Sequence, residues 1–334
     1  MDSSLLQKVA AQMVFPGKGI LAADESNATI EKRLAKINVP STEDNRRAYR
    51  EMLFTTPGLS EYISGVILYD ETFRQNASTG KSFVSMLEHA GILPGIKVDL
   101  GTADMIGSPN EKVTKGLEGL HERLVEYAKL GAKFCKWRAV ITIGVGLPTD
   151  DNIRQNTKDL AAYAKACQEC GLVPIVEPEV LMDGTHSMAR CAEVSEKTLT
   201  VLFEELKKAG AVIEGMILKT NMVVPGKESG ETASAEAIAD ATLALFKKIL
   251  PNNLPGQAFL SGGQSEVEAT VNLNEMSKRG PHPWKLSFSY GRALQDSALK
   301  AWGGNQENVA AAQTTLAKRA KMNSLASFGT YQGE

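Results

Sequence analysis

The sequence is poor in cysteine, histidine and aromatic residues, and it carries almost no net charge. Four cysteines in 334 residues do not make a disulfide framework and suit a cytoplasmic protein. Lys+Arg 37 against Asp+Glu 39 leaves a formal charge of -2. The basic pairs Arg46-Arg47, Lys207-Lys208, Lys247-Lys248 and Lys318-Arg319 are scattered along the chain. A nucleic-acid or anionic-membrane partner needs a concentrated basic field, so neither is expected. No apolar run approaches the ~18 residues that span a bilayer, and Met1-Asp2-Ser3-Ser4 shows no basic flank before an apolar stretch. The four histidines, His89, His121, His186 and His282, form no H-x-x-H or H-x-x-x-H pattern, so there is no local zinc motif. Cys167 and Cys170 make a C-x-x-C, but within a helical pattern shared with Leu160 and Tyr163. They read as two half-buried helix cysteines rather than a redox or metal pair. No linker, low-complexity tract or charge block divides the chain, so residues 1–334 are expected to form one domain.

What the sequence does have is a recurring unit: a short run rich in Val, Ile, Leu or Ala, a polar residue, then a long amphipathic stretch. The runs are Gly19–Asp24, Gly65–Asp70, Gly95–Leu100, Lys133–Val140, Leu172–Val180, Gly215–Asn221, Gln257–Gly263 and Lys285–Gly291. Between them, Leu117, Leu120, Leu124 and Tyr127 recur at helical spacing until Gly131, and Ile238, Ala241, Leu245 and Ile249 do so before Pro251. Ser265-x-x-Glu268 has the form of a capping box. Strands alternating with helices imply parallel βαβ units, and eight of them predict an α/β fold, a single (β/α)8 TIM barrel. An open doubly wound sheet would show Gly-x-Gly-x-x-Gly after its first strand. The residues there are Asp24-Glu25-Ser26-Asn27.

Several of these strands carry charge where a core should be. Residues two apart on a strand share a face, which pairs Lys97 with Asp99, Lys136 with Arg138, and Glu177 with Glu179, while Lys219 follows Met216-Ile217-Leu218. Any one of these could be a structural ion pair or a strand end reaching solvent. Six ionisable groups, Asp24, Lys97, Lys136, Glu177, Glu179 and Lys219, converging from five strands at the catalytic end of a barrel are better explained by chemistry. A buried lysine beside another cation has a lowered pKa and becomes a nucleophilic amine. Lys219 with Lys136 nearby satisfies that condition, and Glu177 or Glu179 could move the protons of carbinolamine and iminium formation. Barrel enzymes often hold phosphate at the loops after strands seven and eight. Those loops read Leu260-Ser261-Gly262-Gly263-Gln264-Ser265 and Ser289-Tyr290-Gly291-Arg292, where glycines let backbone N–H groups approach an oxyanion and Arg292 offers a bidentate fork.

These residues, in this order, resemble the class I (Schiff-base) fructose-1,6-bisphosphate aldolases. The similarity runs from about Gly17 to Ser324. It is carried by KGILAADES (Lys18–Ser26), GIKVD (Gly95–Asp99), KWR (Lys136–Arg138), PIVEPE (Pro174–Glu179), LSGGQSE (Leu260–Glu266) and FSYGRALQ (Phe288–Gln295). The resemblance implies that Lys219 forms the Schiff base, that Glu177 is the principal acid/base, that Glu179 and Lys136 assist, and that Asp24 orders the site. It implies a 1-phosphate cradle of Ser261, Gly262, Gly263, Ser289, Gly291 and Arg292. Ser26, Thr29, Arg33 and Lys97 would stand around the other phosphate or the approach to it, and Arg138 among the substrate-binding groups. It further implies no metal, no cofactor, a phosphorylated sugar as substrate, a homotetramer and activity in glycolysis and gluconeogenesis. Cytoskeletal proteins are partners of similar aldolases, although no motif for them is visible. Another Schiff-base sugar-phosphate aldolase, a transaldolase, a sedoheptulose-bisphosphate-preferring enzyme or a scaffold protein are the alternatives. Two phosphate-binding sets favour a bisphosphate, and a degenerate scaffold would have lost one of Asp24, Lys136, Glu177 or Lys219. The sequence departs from many relatives at Thr220, where they have proline, and at Leu100, where they have a charge. Many also carry a terminal tyrosine that reaches the site. Here the sequence ends at Gly333-Glu334, with Tyr331 as the candidate substitute.

Overall fold

Each of the eight apolar runs is a strand. The computed structural model describes residues 3–334, and Met1 and Asp2 lie outside the described residues. In chain order the strands are β1 (Gly19–Ala23), β2 (Ile63–Leu68), β3 (Leu93–Lys97), β4 (Thr102–Met105), β5 (Ser108–Thr114), β6 (Phe134–Ile141), β7 (Val173–Val180), β8 (Ile217–Thr220), β9 (Gly256–Phe259) and β10 (Lys285–Tyr290). Eight of them close a barrel in the order β1-β10-β9-β8-β7-β6-β3-β2, and every pairing in it is parallel. Helices return the chain between strands, as a parallel sheet requires. Ser265 caps the helix Glu266–Lys278 with the reciprocal bonds of a capping box. The helical patterns ending at Gly131 and before Pro251 are Leu120–Lys129 and Ala235–Ile249.

The inside of the barrel has two layers of opposite character. Its lower half is apolar: Ile20, Ala22, Ile67, Phe134, Val173, Ile175, Ile217 and Ala258 pack together, and Leu6, Ala10 and Met13 of the first helix (Ser3–Met13) close that end. Glycine is required where the Phe134 ring lies, because a Cβ on Gly95 would stand 2.2 Å from it. Moving up the strands by twos keeps the inward face, so Phe134 leads to Lys136 and Arg138. Likewise Val173 and Ile175 lead to Glu177 and Glu179, and Ile217 leads to Lys219. The charged upper layer is thus the continuation of the apolar one, rooted on a packed plug.

The antiparallel hairpin β4–β5 was not visible in the sequence pattern, being short, polar and half exposed. It leans on β6, where Thr114 Oγ1 donates to Arg138 O at 2.8 Å. Glu111, fully buried, accepts from Thr149 N (2.8 Å) and Thr149 Oγ1 (2.6 Å), tying the hairpin to the start of the helix Asp150–Glu169. All four cysteines are free thiols. Cys167 is fully buried and Cys170, at the end of that helix, is half-buried beside His121 Nδ1 at 3.7 Å, so the C-x-x-C is helix packing with one deeper member than expected. No helix among the described residues is long and apolar enough to cross a membrane.

Candidate active site

A cleft of about 1000 Å³ opens at the C-terminal ends of the barrel strands. Its floor is a continuous chain of opposite charges. Lys219 Nζ lies 3.1 Å from Glu177 Oε1, Lys136 Nζ lies 3.0 Å from Glu177 Oε2, and the same Nζ donates to Asp24 Oδ2 at 3.0 Å. The register sets Ile175 opposite Ile217, which brings Glu177 level with Lys219, while the Lys136–Asp24 contact crosses the barrel between strands that are not neighbours. All four side chains are buried, and each carries its charge only because the next one answers it.

Electrostatics give these four groups different characters. Burial disfavours the Lys136 ammonium, but Asp24 and Glu177 override it and hold its pKa above the ordinary lysine value. Burial also opposes ionisation of Glu177 and Asp24, and in both cases the lysines win and lower the pKa. Lys219 is the exception. Burial, joined by repulsion from Lys136, outweighs the pull of Glu177 and lowers its pKa. The result is a reactive amine next to a permanent cation and a carboxylate that can take its proton. Glu177 Oε2 meets Lys136 as an ion pair and accepts no hydrogen bond beyond it among the described residues.

Above the floor the walls are cationic. Lys97 is held by Asp99 (2.5 Å), and Arg138 Nε donates to Glu179 Oε2 (2.5 Å). Glu179, also buried, therefore pairs with Arg138 one inward step along the strand from Glu177. Ser26 and Thr29 share a hydroxyl hydrogen bond of 3.1 Å at the start of the helix Asn27–Ala35. Across the cleft, Ser261 and Gly262 line one wall and Ser289, Gly291 and Arg292 the next. Gly291 precedes the first turn of the helix Arg292–Trp302, whose N-terminal amides suit an anion. Ser289 Oγ has no hydrogen-bond partner among the described residues, although it is buried in the wall.

The structure also places three further residues. Arg33 lines the cleft on the same helix as Thr29, and its Nη2 stands 3.6 Å from where a Gly291 Cβ would be, so it also reaches the wall of the Gly291–Arg292 cradle. Gly263 has φ +91° and an added Cβ there would meet Lys227 Cε at 2.6 Å, so it shapes the turn and not the cleft wall. Tyr331 packs into the hydrophobic core, its N–H bonded to Asn274 Oδ1 at 2.9 Å, and is no substitute for a tyrosine at the site. Sequence reasoning also missed Glu25, which lies between Arg33 and Arg50. The signal was present as a second acid directly after Asp24 at the end of an apolar strand. Thr220 is accommodated beyond Lys219 by a hydrogen bond between its Oγ1 and the Gln257 amide at 2.7 Å. Leu100, 60% exposed, lies at the mouth of the cleft.

A closed parallel barrel with an ionised lysine–carboxylate floor and anion-binding turns after its last two strands is an enzyme for a small anionic substrate. Comparison with known proteins makes the class specific. Residues 5–334 match the family model described as fructose-bisphosphate aldolase class-I. A cytosolic fructose-bisphosphate aldolase 4 of Arabidopsis thaliana is 52% identical over 326 residues, 97% of this chain and 83% of that one. A probable class 1 fructose-bisphosphate aldolase of Xanthomonas axonopodis pv. citri (strain 306) is 52% identical over 334 residues, the whole of both chains. The Plasmodium falciparum aldolase, solved with TRAP and a small-molecule inhibitor, superposes with a TM-score of 0.98 at 48% identity, covering 99% of this chain and 96% of that one. The chain belongs to the class-I fructose-bisphosphate aldolase family, carbon–carbon lyases that cleave fructose 1,6-bisphosphate to dihydroxyacetone phosphate and glyceraldehyde 3-phosphate.

Proposed function

We propose that Lys219 is the nucleophile of this cleavage and that Glu177 carries its protons. The observation that supports this is the buried chain Lys219–Glu177–Lys136–Asp24, in which the one lysine with a lowered pKa touches a carboxylate. Glu177 Oε1 takes the proton from the Lys219 ammonium, and the free amine adds to the C2 carbonyl. The same carboxyl, now an acid, protonates the carbinolamine hydroxyl, which leaves as water and produces the iminium. Loss of the C4 hydroxyl proton sends the C3–C4 bonding electrons into the iminium. Glyceraldehyde 3-phosphate departs, C3 of the enamine is protonated, and hydrolysis releases dihydroxyacetone phosphate and the amine. Asp24, held by Lys136, would receive that C4 proton, and Lys136 stays cationic to hold both carboxylates.

The phosphates would be held at the walls: one by Ser261, Gly262, Ser289, Gly291, Arg292 and Arg33, the other toward Ser26, Thr29, Lys97 and Arg138. We also propose that residues 1–334 act as one domain, in a cytoplasmic homotetramer serving glycolysis and gluconeogenesis. The family supports that reading, as do the cytosolic and cytoplasmic names of the Arabidopsis and Pisum sativum relatives. The deciding experiment is borohydride trapping with dihydroxyacetone phosphate in EDTA, followed by peptide mapping. A reduced adduct on Lys219 is expected. No adduct, with cleavage that EDTA abolishes, would overturn the mechanism.

A further inference from the structure

Glu25 takes no part in the proton path, yet it is among the most enclosed acids at the cleft, with 4% of its side chain exposed. Its two oxygens serve different arginines. Oε1 accepts from Arg33 Nη1, and Oε2 accepts from Arg50 Nη1 at 2.5 Å, while Arg50 Nη2 also donates to the Glu25 backbone oxygen at 3.3 Å. Arg50 is sealed, with 2% of its side chain exposed and an Nε lacking a partner among the described residues. Arg33 is the freer of the two, 16% exposed, and its other nitrogen, Nη2, is the one near Gly291. The guanidinium is therefore tied on one edge and presented on the other.

We infer that Glu25 is a positioning residue that restrains Arg33 and keeps the phosphate cradle below the anion affinity its arginines could otherwise reach, an inference that rests on the cradle reading above. A buried carboxylate shared between two guanidiniums removes one unit of positive charge from the wall that meets the phosphate. Release of phosphorylated product then stays easy, since anion and Glu25 pull on opposite edges of one fork. The isosteric Glu25→Gln exposes this arrangement. A glutamine keeps one carbonyl acceptor, but its amide donors cannot face a second guanidinium. Arg50, caged and bonded also to the backbone, keeps the acceptor, and Arg33 is the arginine set free.

The test is calorimetric titration with inorganic phosphate alongside steady-state kinetics with fructose 1,6-bisphosphate. Glu25→Gln is expected to bind phosphate about five- to tenfold tighter, the scale of one charge removed at roughly 8 Å through a partly wet site, and to show a lower KM. The sign discriminates, because a merely structural loss would weaken binding. Unchanged or weaker phosphate binding by the folded variant would overturn the inference while leaving the cradle intact. If Glu25→Gln does not fold, the double variant Glu25→Met with Arg50→Met removes both buried charges and leaves Arg33 no acceptor at that position, and a tightening of at least about twofold is required of it. Arg292→Ala is the control for the cradle itself: should it bind phosphate as the unmodified protein does, the cradle reading falls and this inference with it.

Discussion

Replacing Lys136 by methionine is the most informative perturbation of the floor. Methionine fills similar space without charge, so Asp24 and Glu177, each 3.0 Å from the Lys136 ammonium, are left with Lys219 as their nearest cation. At that separation and an effective dielectric of about 20, each contact is worth about 5 kcal/mol before desolvation. Removing one partner of a buried ion pair costs about 3–5 kcal/mol net. The sign with pH follows from the shifts. In the unmodified protein Asp24 and Glu177 have lowered pKa values, so their stabilisation is complete above the unfolded carboxylate range, near pH ~4, and is lost only as pH falls below it. In Lys136→Met one of the two carboxyls has a raised pKa and must be held ionised, or be protonated, at neutral pH. The stability deficit should therefore be largest at pH 8 and shrink toward pH 5. Lys219 also loses the repulsion that helped lower its pKa, and each unit of recovery leaves tenfold less free amine. Urea denaturation at the two pH values, with borohydride trapping at pH 7.5, measures both effects, and trapping should slow on the order of a hundredfold. An equal deficit at both pH values with a trapping rate within about twofold of the original would refute the account of the floor.

Three further outcomes are expected. Ser289→Ala removes a buried hydroxyl with no partner among the described residues, so thermal or urea unfolding should show a stability unchanged or raised by up to about 1 kcal/mol, while KM for fructose 1,6-bisphosphate rises several-fold. Glu111→Ala strands Thr149 and Ser108, and should cost about 2–4 kcal/mol in urea denaturation, with earlier proteolysis of the β4–β5 hairpin. Tyr331→Phe should leave kcat within about twofold in a coupled cleavage assay, because that ring is packed in the core.

The barrel was legible because its strands are the most apolar stretches of the chain and recur eight times, and Lys136, Glu177 and Lys219 were legible because charge interrupts that apolarity at period two. Partnerships were another matter. Glu177 and Glu179 look equivalent on one strand face, and only closure of the barrel gives the first to Lys219 and Lys136 and the second to Arg138. The reach of Arg33 to the Gly291 wall was hidden for the same reason, since Gly291 is 258 positions away and adjacency there is made by β1 pairing with β10. The hairpin escaped notice because it buries little and its alternation is weak. Glu25 was hidden by its proximity to Asp24, where one acid seemed enough to explain the motif.

The first helix has a consequence for the order in which the molecule is built. Leu6, Ala10 and Met13 are among the first residues of the described chain, yet their socket is assembled from β1, β2, β6, β7, β8 and β9, and Leu6 also lies against Gly215. That socket is complete only when all six strands are in place. A segment that precedes every barrel strand in the sequence is thus expected to be seated among the last. Amide exchange in Ser3–Met13 should gain protection after that of the central strands during refolding, which makes this helix a reporter of barrel closure.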